Sequence, residues 1–97
     1  MDSVIYLLHF DVPYKHAQHY VGFTTSYETV ENRLKEHESG NGSKLLRKVG
    51  KGFKLARLWY GTKDDERAIK NTHHRRAFCP MCNTKPRRRL GLVEIQL

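Results

Sequence analysis

The longest uninterrupted apolar run in the chain is five residues, Val4 to Leu8. Five residues make a buried strand and fall far short of the about 20 that a membrane-spanning helix needs. Every other apolar stretch is shorter, so the chain must build its core from brief strands and one-sided helices. With 97 residues in all, that core serves one small domain and leaves no room for a second. No positive flank precedes the run and no small-residue cleavage site follows it, so no secretory signal is expected and the chain reads as cytoplasmic.

Charge is the second constraint. Eighteen Lys and Arg stand against ten Asp and Glu, a net +8. Residues 1–42 carry three basic side chains against six acids, whereas residues 43–97 carry fifteen against four. Charge polarised in this way suits a polyanion partner, because each phosphate contact releases condensed counterions. Nucleic acid is the first candidate, and a basic surface that only aids solubility is the plain alternative.

Ser3 to Phe10 is rich in β-branched, aromatic and apolar residues and reads as a first strand, ended by Asp11-Val12-Pro13. His19 to Thr24 reads as a second strand, joined through a polar connection, Tyr14 to Gln18, longer than the tight two-residue kind. Thr25-Ser26-Tyr27-Glu28 fits a capping box ahead of a helix over about 26–38. There Tyr27, Val30 and Leu34 face the core, and Arg33 and His37 share a neighbouring stripe at i, i+4. Ser43 to Val49 suits a short second helix, and Phe53 to Tyr60 a third strand. Thr62 is an N-cap candidate for a last helix over about 63–77, with acids in its first turn. Residues 1–83 thus form one α+β unit of order β-β-α-α-β-α on a three-stranded antiparallel sheet. A basic segment follows over 84–97, in which Val93, Ile95 and Leu97 share one side and suit an edge strand or a partner contact.

Tyr6 in Val4-Ile5-Tyr6, Tyr20 in Tyr20-Val21-Gly22, Arg33 and His37 on the first helix, and Glu66 on the last helix follow in one order through strand, strand, helix, strand and helix. This set resembles the GIY-YIG nuclease superfamily, whose members include the nuclease domain of bacterial excision repair, some homing endonucleases and structure-specific junction nucleases. The resemblance spans about residues 4–71, with Val4 standing where glycine is usual. It implies metal-dependent phosphodiester hydrolysis. Tyr6 and Tyr20 match the two motif tyrosines, Arg33 the helix arginine, His37 the His or Tyr one turn on, and Glu66 the metal-binding glutamate for Mg²⁺ or Mn²⁺.

The residue types suit that chemistry on their own terms. A lone carboxylate serves an ion that keeps several waters, and arginine holds phosphate oxygens bidentately. A phenol ionising near about pH 10 is a poor base at neutral pH, so Tyr20 needs a nearby cation or a metal-bound water to act as one. Tyr6 and His37 are the other candidates for that proton. Taken singly, each residue has a plain reading: a half-buried strand tyrosine, a solvated helix face, a first-turn dipole partner, or, for Gly22, a bulge or strand end.

The expected activity is a DNA endonuclease that reads structure rather than sequence, with RNA as substrate left open. A catalytically idle nucleic-acid-binding module on the same fold is the rival. Lys44, Arg47, Lys48, Lys51, Arg75, Arg76, Arg87, Arg88 and Arg89 are the expected backbone contacts. Cys79-Pro80-Met81-Cys82 is a single CxxC preceded by His73-His74. A structural zinc on His74, Cys79 and Cys82, with a fourth ligand from His73 or elsewhere, competes with a redox pair and with a turn whose cysteines simply pack. One CxxC without a second knuckle favours the packing turn. His9, His16 and His19 lie outside the matched positions and read as structural or surface residues, His19 being a weak substrate-contact candidate beside Tyr20.

Overall fold

The protein is described here by a computed structural model covering residues 3–15, 17–39, 52–71, 75–87 and 91–96. The elements are β1 (Val4–Tyr14), β2 (Ala17–Thr24), α1 (Val30–Glu38), β3 (Phe53–Tyr60), α2 (Lys63–Lys70) and β4 (Val93–Ile95), with 3-10 turns at Tyr27–Thr29 and Arg75–Phe78. The expected helix over 43–49 lies outside the described residues.

The sheet is antiparallel in the order β2-β1-β3-β4, so the three-stranded expectation is corrected to four. β4 lies against the outer edge of β3, pairing Ile95 with Leu58, Glu94 with Trp59 and Val93 with Tyr60. An open edge on β3 would expose a row of unpaired backbone groups, and the period-two tail covers it. Central β1 is wholly buried from Val4 to Leu8. Val4, Tyr6, Leu8 and Phe10 face α1 with Val30 and Leu58. Ile5 and Leu7 face the other way, toward Val21, Trp59, Ile69, Phe78 and Cys79.

Three local expectations change. Strand β1 continues through Pro13 to Tyr14, and the hairpin closes over two residues, with Tyr14 opposite Ala17 and Lys15 at φ 54°. A left-handed first turn residue belongs to the primed turns that match strand twist. Proline fits because the β1–β2 register slips between His9 and Tyr14, where no ladder bond is required of it. Strand β3 carries a bulge opposite Leu7 and Leu8, which moves Ala56 and Arg57 together onto the Trp59 face. No side-chain cap forms at Ser26. The start of α1 is held instead by Thr29 Oγ1, which donates to the Ser26 carbonyl at 2.9 Å and shares a hydroxyl bond with Thr24. Tyr27 is 49% exposed rather than in the core.

Helix α2 begins as expected, with a reciprocal Thr62–Asp65 capping box. It ends at Lys70, short of the predicted 77. Beyond it, Arg57 anchors the tail. Its guanidinium, 5% exposed, donates to the Phe78 carbonyl at 3.1 Å, the Arg87 carbonyl at 2.6 Å and the Glu94 carboxylate at 2.6 Å. A buried cation holding three acceptors fixes Phe78, Arg87 and Glu94 to the sheet.

Candidate active site

Hairpin register brings the two motif tyrosines together. Tyr6 pairs with Gly22 across β1 and β2, and Tyr20 pairs with Leu8, so both phenols project from one face. The Tyr6 ring lies over Gly22, where a Cβ would meet its ring and hydroxyl at 2.2–2.4 Å. Glycine is therefore demanded by the neighbouring ring rather than by a bulge. Val4, at the position where the resemblance expects glycine, packs in the core beside Tyr6.

Helix α1 supplies the next two groups one turn apart. The Tyr6 hydroxyl and His37 Nε2 are 2.8 Å apart, and the Tyr20 ring meets His37 edge-on with centroids at 5.5 Å. Tyr6 and Tyr20 are 6.3 Å apart. Burial first, and then the adjacent Tyr20, push Tyr6 up to about 12 against the pull of the Arg33 guanidinium. Its hydroxyl therefore keeps its proton at neutral pH and shares a hydrogen bond with Nε2. Burial and the Arg33 cation hold His37 below its ordinary value, so the ring is neutral at neutral pH. Arg33 forms an exposed ion pair with Glu36 at 3.0 Å. Among the described residues, three buried side-chain atoms have no hydrogen-bond partner: His37 Nδ1 and Arg33 Nε in this cluster, and Arg57 Nε on the other face of the sheet. Unpaired buried polar atoms are uncommon, and two in one cluster mark a site whose polar groups are not arranged for stability alone.

Glu66 lies on α2, its side chain 6% exposed, with Lys63 at 3.9 Å and Lys70 at 4.0 Å. Both separations exceed hydrogen-bond length, so its oxygens keep lone pairs to offer. Lys70 also stands 5.8 Å from the centroid of the Tyr20 ring and thereby links Glu66 to the tyrosines. The i, i+4 spacing from Glu66 is the signal in the sequence that could have marked Lys70. Of the expected nucleic-acid contacts, Arg76 and Arg87 are exposed. Lys44, Arg47, Lys48, Lys51, Arg88 and Arg89, and the side chain of Arg75, lie outside the described residues.

For the zinc expectation, His74 also lies outside the described residues. Cys79 is fully buried in the core, which burial reflects by raising its thiol above the ordinary value. The imidazoles beside the cysteines are those of His9 and His19, which the sequence reading leaves as structural or surface residues.

Two tyrosines, a neutral histidine and an arginine thus gather on one face, with a carboxylate linked to them through Lys70. The family description "GIY-YIG catalytic domain" matches residues 3–76, and the chain belongs to this family of nucleases, whose members generally depend on a divalent metal. No curated protein and no solved structure matches the chain significantly. Its substrate is accordingly nucleic acid, and no helix among the described residues is long and apolar enough to cross a membrane.

Proposed function

We propose that the chain is an endonuclease that hydrolyses DNA phosphodiester bonds with Mg²⁺ or Mn²⁺, selecting DNA by shape rather than sequence. The observation that carries this reading is the convergence of Tyr6, Tyr20 and His37 within ring-contact distance on one face, with Lys70 between Tyr20 and Glu66.

Glu66 would hold the ion, and its oxygens fit: a single carboxylate suits a cation that keeps waters and takes further ligands from phosphate. Such an ion supplies Lewis-acid polarisation and a nucleophile available at neutral pH. The chain's own groups do the rest. Arg33, 41% exposed, reaches the substrate and neutralises charge that develops on the phosphoryl oxygens. Tyr20, only partly buried, takes the proton from the attacking water, with Lys70 placed to stabilise the phenolate. Tyr6 is excluded from that task by full burial and a proton held to about 12. It orients His37 instead. Shape selection is supported by exposed basic side chains such as Arg76 and Arg87, a kind suited to phosphate contacts.

The test is cleavage of supercoiled plasmid and of branched synthetic DNA with Mg²⁺, Mn²⁺ or chelator, for wild type and Glu66→Gln. The expected result is metal-dependent cutting, faster on the branched DNA and abolished in Glu66→Gln with DNA binding retained. Wild-type binding without cutting would favour the idle binding module.

A further inference from the structure

The face of the hairpin opposite Tyr6 and Tyr20 holds a second gathering of polar side chains. His9 on β1 and His19 on β2 are cross-strand partners with rings 5.3 Å apart. Cys79 and Cys82 reach them from the turn that follows Phe78. Four contacts are close: His9 Nδ1 to His19 Nε2 at 3.4 Å, His9 Nδ1 to Cys79 Sγ at 3.4 Å and to Cys82 Sγ at 3.6 Å, and Cys82 Sγ to His19 Nε2 at 3.5 Å. All four ligand-type atoms lie within 4.8 Å of one another.

Hydrogen bonding alone does not account for this packing. An imidazole nitrogen offers either one proton or one in-plane lone pair, yet His9 Nδ1 has three heteroatom neighbours at 3.4–3.6 Å. Three short contacts that converge on a point, rather than along a bond, are the edges of a polyhedron. A tetrahedral ion with bonds of about 2.3 Å to sulfur and about 2.0–2.1 Å to nitrogen sets its ligands about 3.4 Å apart for N···N and about 3.5–3.6 Å for S···N. Four of the six edges match within about 0.2 Å, the tolerance appropriate to a metal site, and the other two pairs lie within 4.8 Å.

We propose that His9, His19, Cys79 and Cys82 form a closed, structural zinc centre that ties the turn at 79–82 to the β1–β2 hairpin. Two thiolates and two imidazoles in tetrahedral array are the donor set that selects zinc among abundant divalent cations. Four protein ligands leave no open position for substrate, which makes the centre structural. The cysteine turn is prepared for the role, since the Cys79 carbonyl accepts from Cys82 N–H at 3.2 Å and from Asn83 N–H at 3.1 Å. Both cysteines lie beyond residues 3–76 and both histidines within them, so the centre ties the chain's tail to the family domain. It adds to the hold that Arg57 has on Phe78, Arg87 and Glu94.

Zinc content and melting temperature are the readouts, measured on protein purified without chelator. Wild type is expected to carry about one zinc per chain and to melt about 10 °C or more lower after a zinc-selective chelator is added in excess Mg²⁺. Cys82→Ser and His19→Asn should lose the metal, and His74→Ala should keep it. Since a variant could fail to fold, Co²⁺ is also exchanged into wild type, where intense four-coordinate d–d bands with thiolate charge transfer are expected. Zinc-free wild type, Cys79 and Cys82 joined as a disulfide, metal retained in both ligand variants, or Co²⁺ bands lacking thiolate character would each overturn the proposal. None of these readouts depends on cleavage, so the zinc centre and the nuclease reading fail separately.

Discussion

The two faces of the β1–β2 hairpin carry different kinds of polar cluster. On the α1 face, Tyr6 and His37 share a hydrogen bond, the Tyr20 and His37 rings meet edge to face, and His37 Nδ1 and Arg33 Nε stay without partners. On the other face, the ligand-type atoms of His9, His19, Cys79 and Cys82 crowd within 4.8 Å of one another. The first arrangement leaves donors to spare beside solvent-accessible groups, as a site for an external phosphate must. The second turns every donor atom inward, as a cross-link must. One hairpin register produces both, because alternate residues of a strand face opposite ways.

The comparison can be broken from either side, and the largest effect is expected on the tyrosine face. Tyr20→Phe should slow DNA cleavage by about 10²–10⁴-fold, the range for a lost general base, without moving the melting temperature. Single-turnover rates beside thermal denaturation would show it, and near-wild-type cleavage would remove Tyr20 from the chemistry. On the opposite face, Arg57→Met should cost about 3–5 kcal/mol, because the Glu94 carboxylate and two carbonyls lose a buried partner. Denaturant unfolding measures this, and a loss under about 1 kcal/mol would mean that the tail is not held by Arg57.

A smaller change probes the floor of the site. Gly22→Ala forces the Tyr6 ring aside and should cost about 1–3 kcal/mol together with activity, as overpacking does. Unchanged stability and cleavage would show that the ring does not need its place over Gly22.

The smallest effect concerns pH. His37 is held below its ordinary value in the fold, so between that value and about 6.5 the unfolded chain binds the extra proton. Stability should be full above about pH 6.5 and fall as pH drops through that window, and His37→Gln should flatten the fall. Tyr6 works in the opposite sense. With its proton held to about 12 against 10.0 unfolded, its contribution is complete below pH 10 and fades as pH rises toward 12, a fade that Tyr6→Phe should remove.

The first three strands, the Thr62 cap and the family itself were legible because each depends on local pattern: a run of β-branched and aromatic residues, a hydroxyl before acids, residue types in fixed order. The Cys–His cluster was not legible, because His9 meets His19 only through the hairpin register. That register depends on a two-residue turn and a slip between His9 and Tyr14, and neither leaves a periodic trace. Nor does the β3 bulge, which strict alternation misses and which puts Phe53 and Leu55 on the face opposite Arg57 and Trp59. Gly22 was visible as a motif residue, but its reason, the Tyr6 ring against its Cα, belongs to packing across strands.

If one face of the hairpin cuts nucleic acid while the other holds the tail, a single preparation of Tyr20→Phe separates the two when DNA cleavage and bound zinc are measured together. Cleavage should fall at least about 10²-fold with zinc unchanged from wild type. Wild-type cleavage, or loss of zinc along with activity, would contradict it.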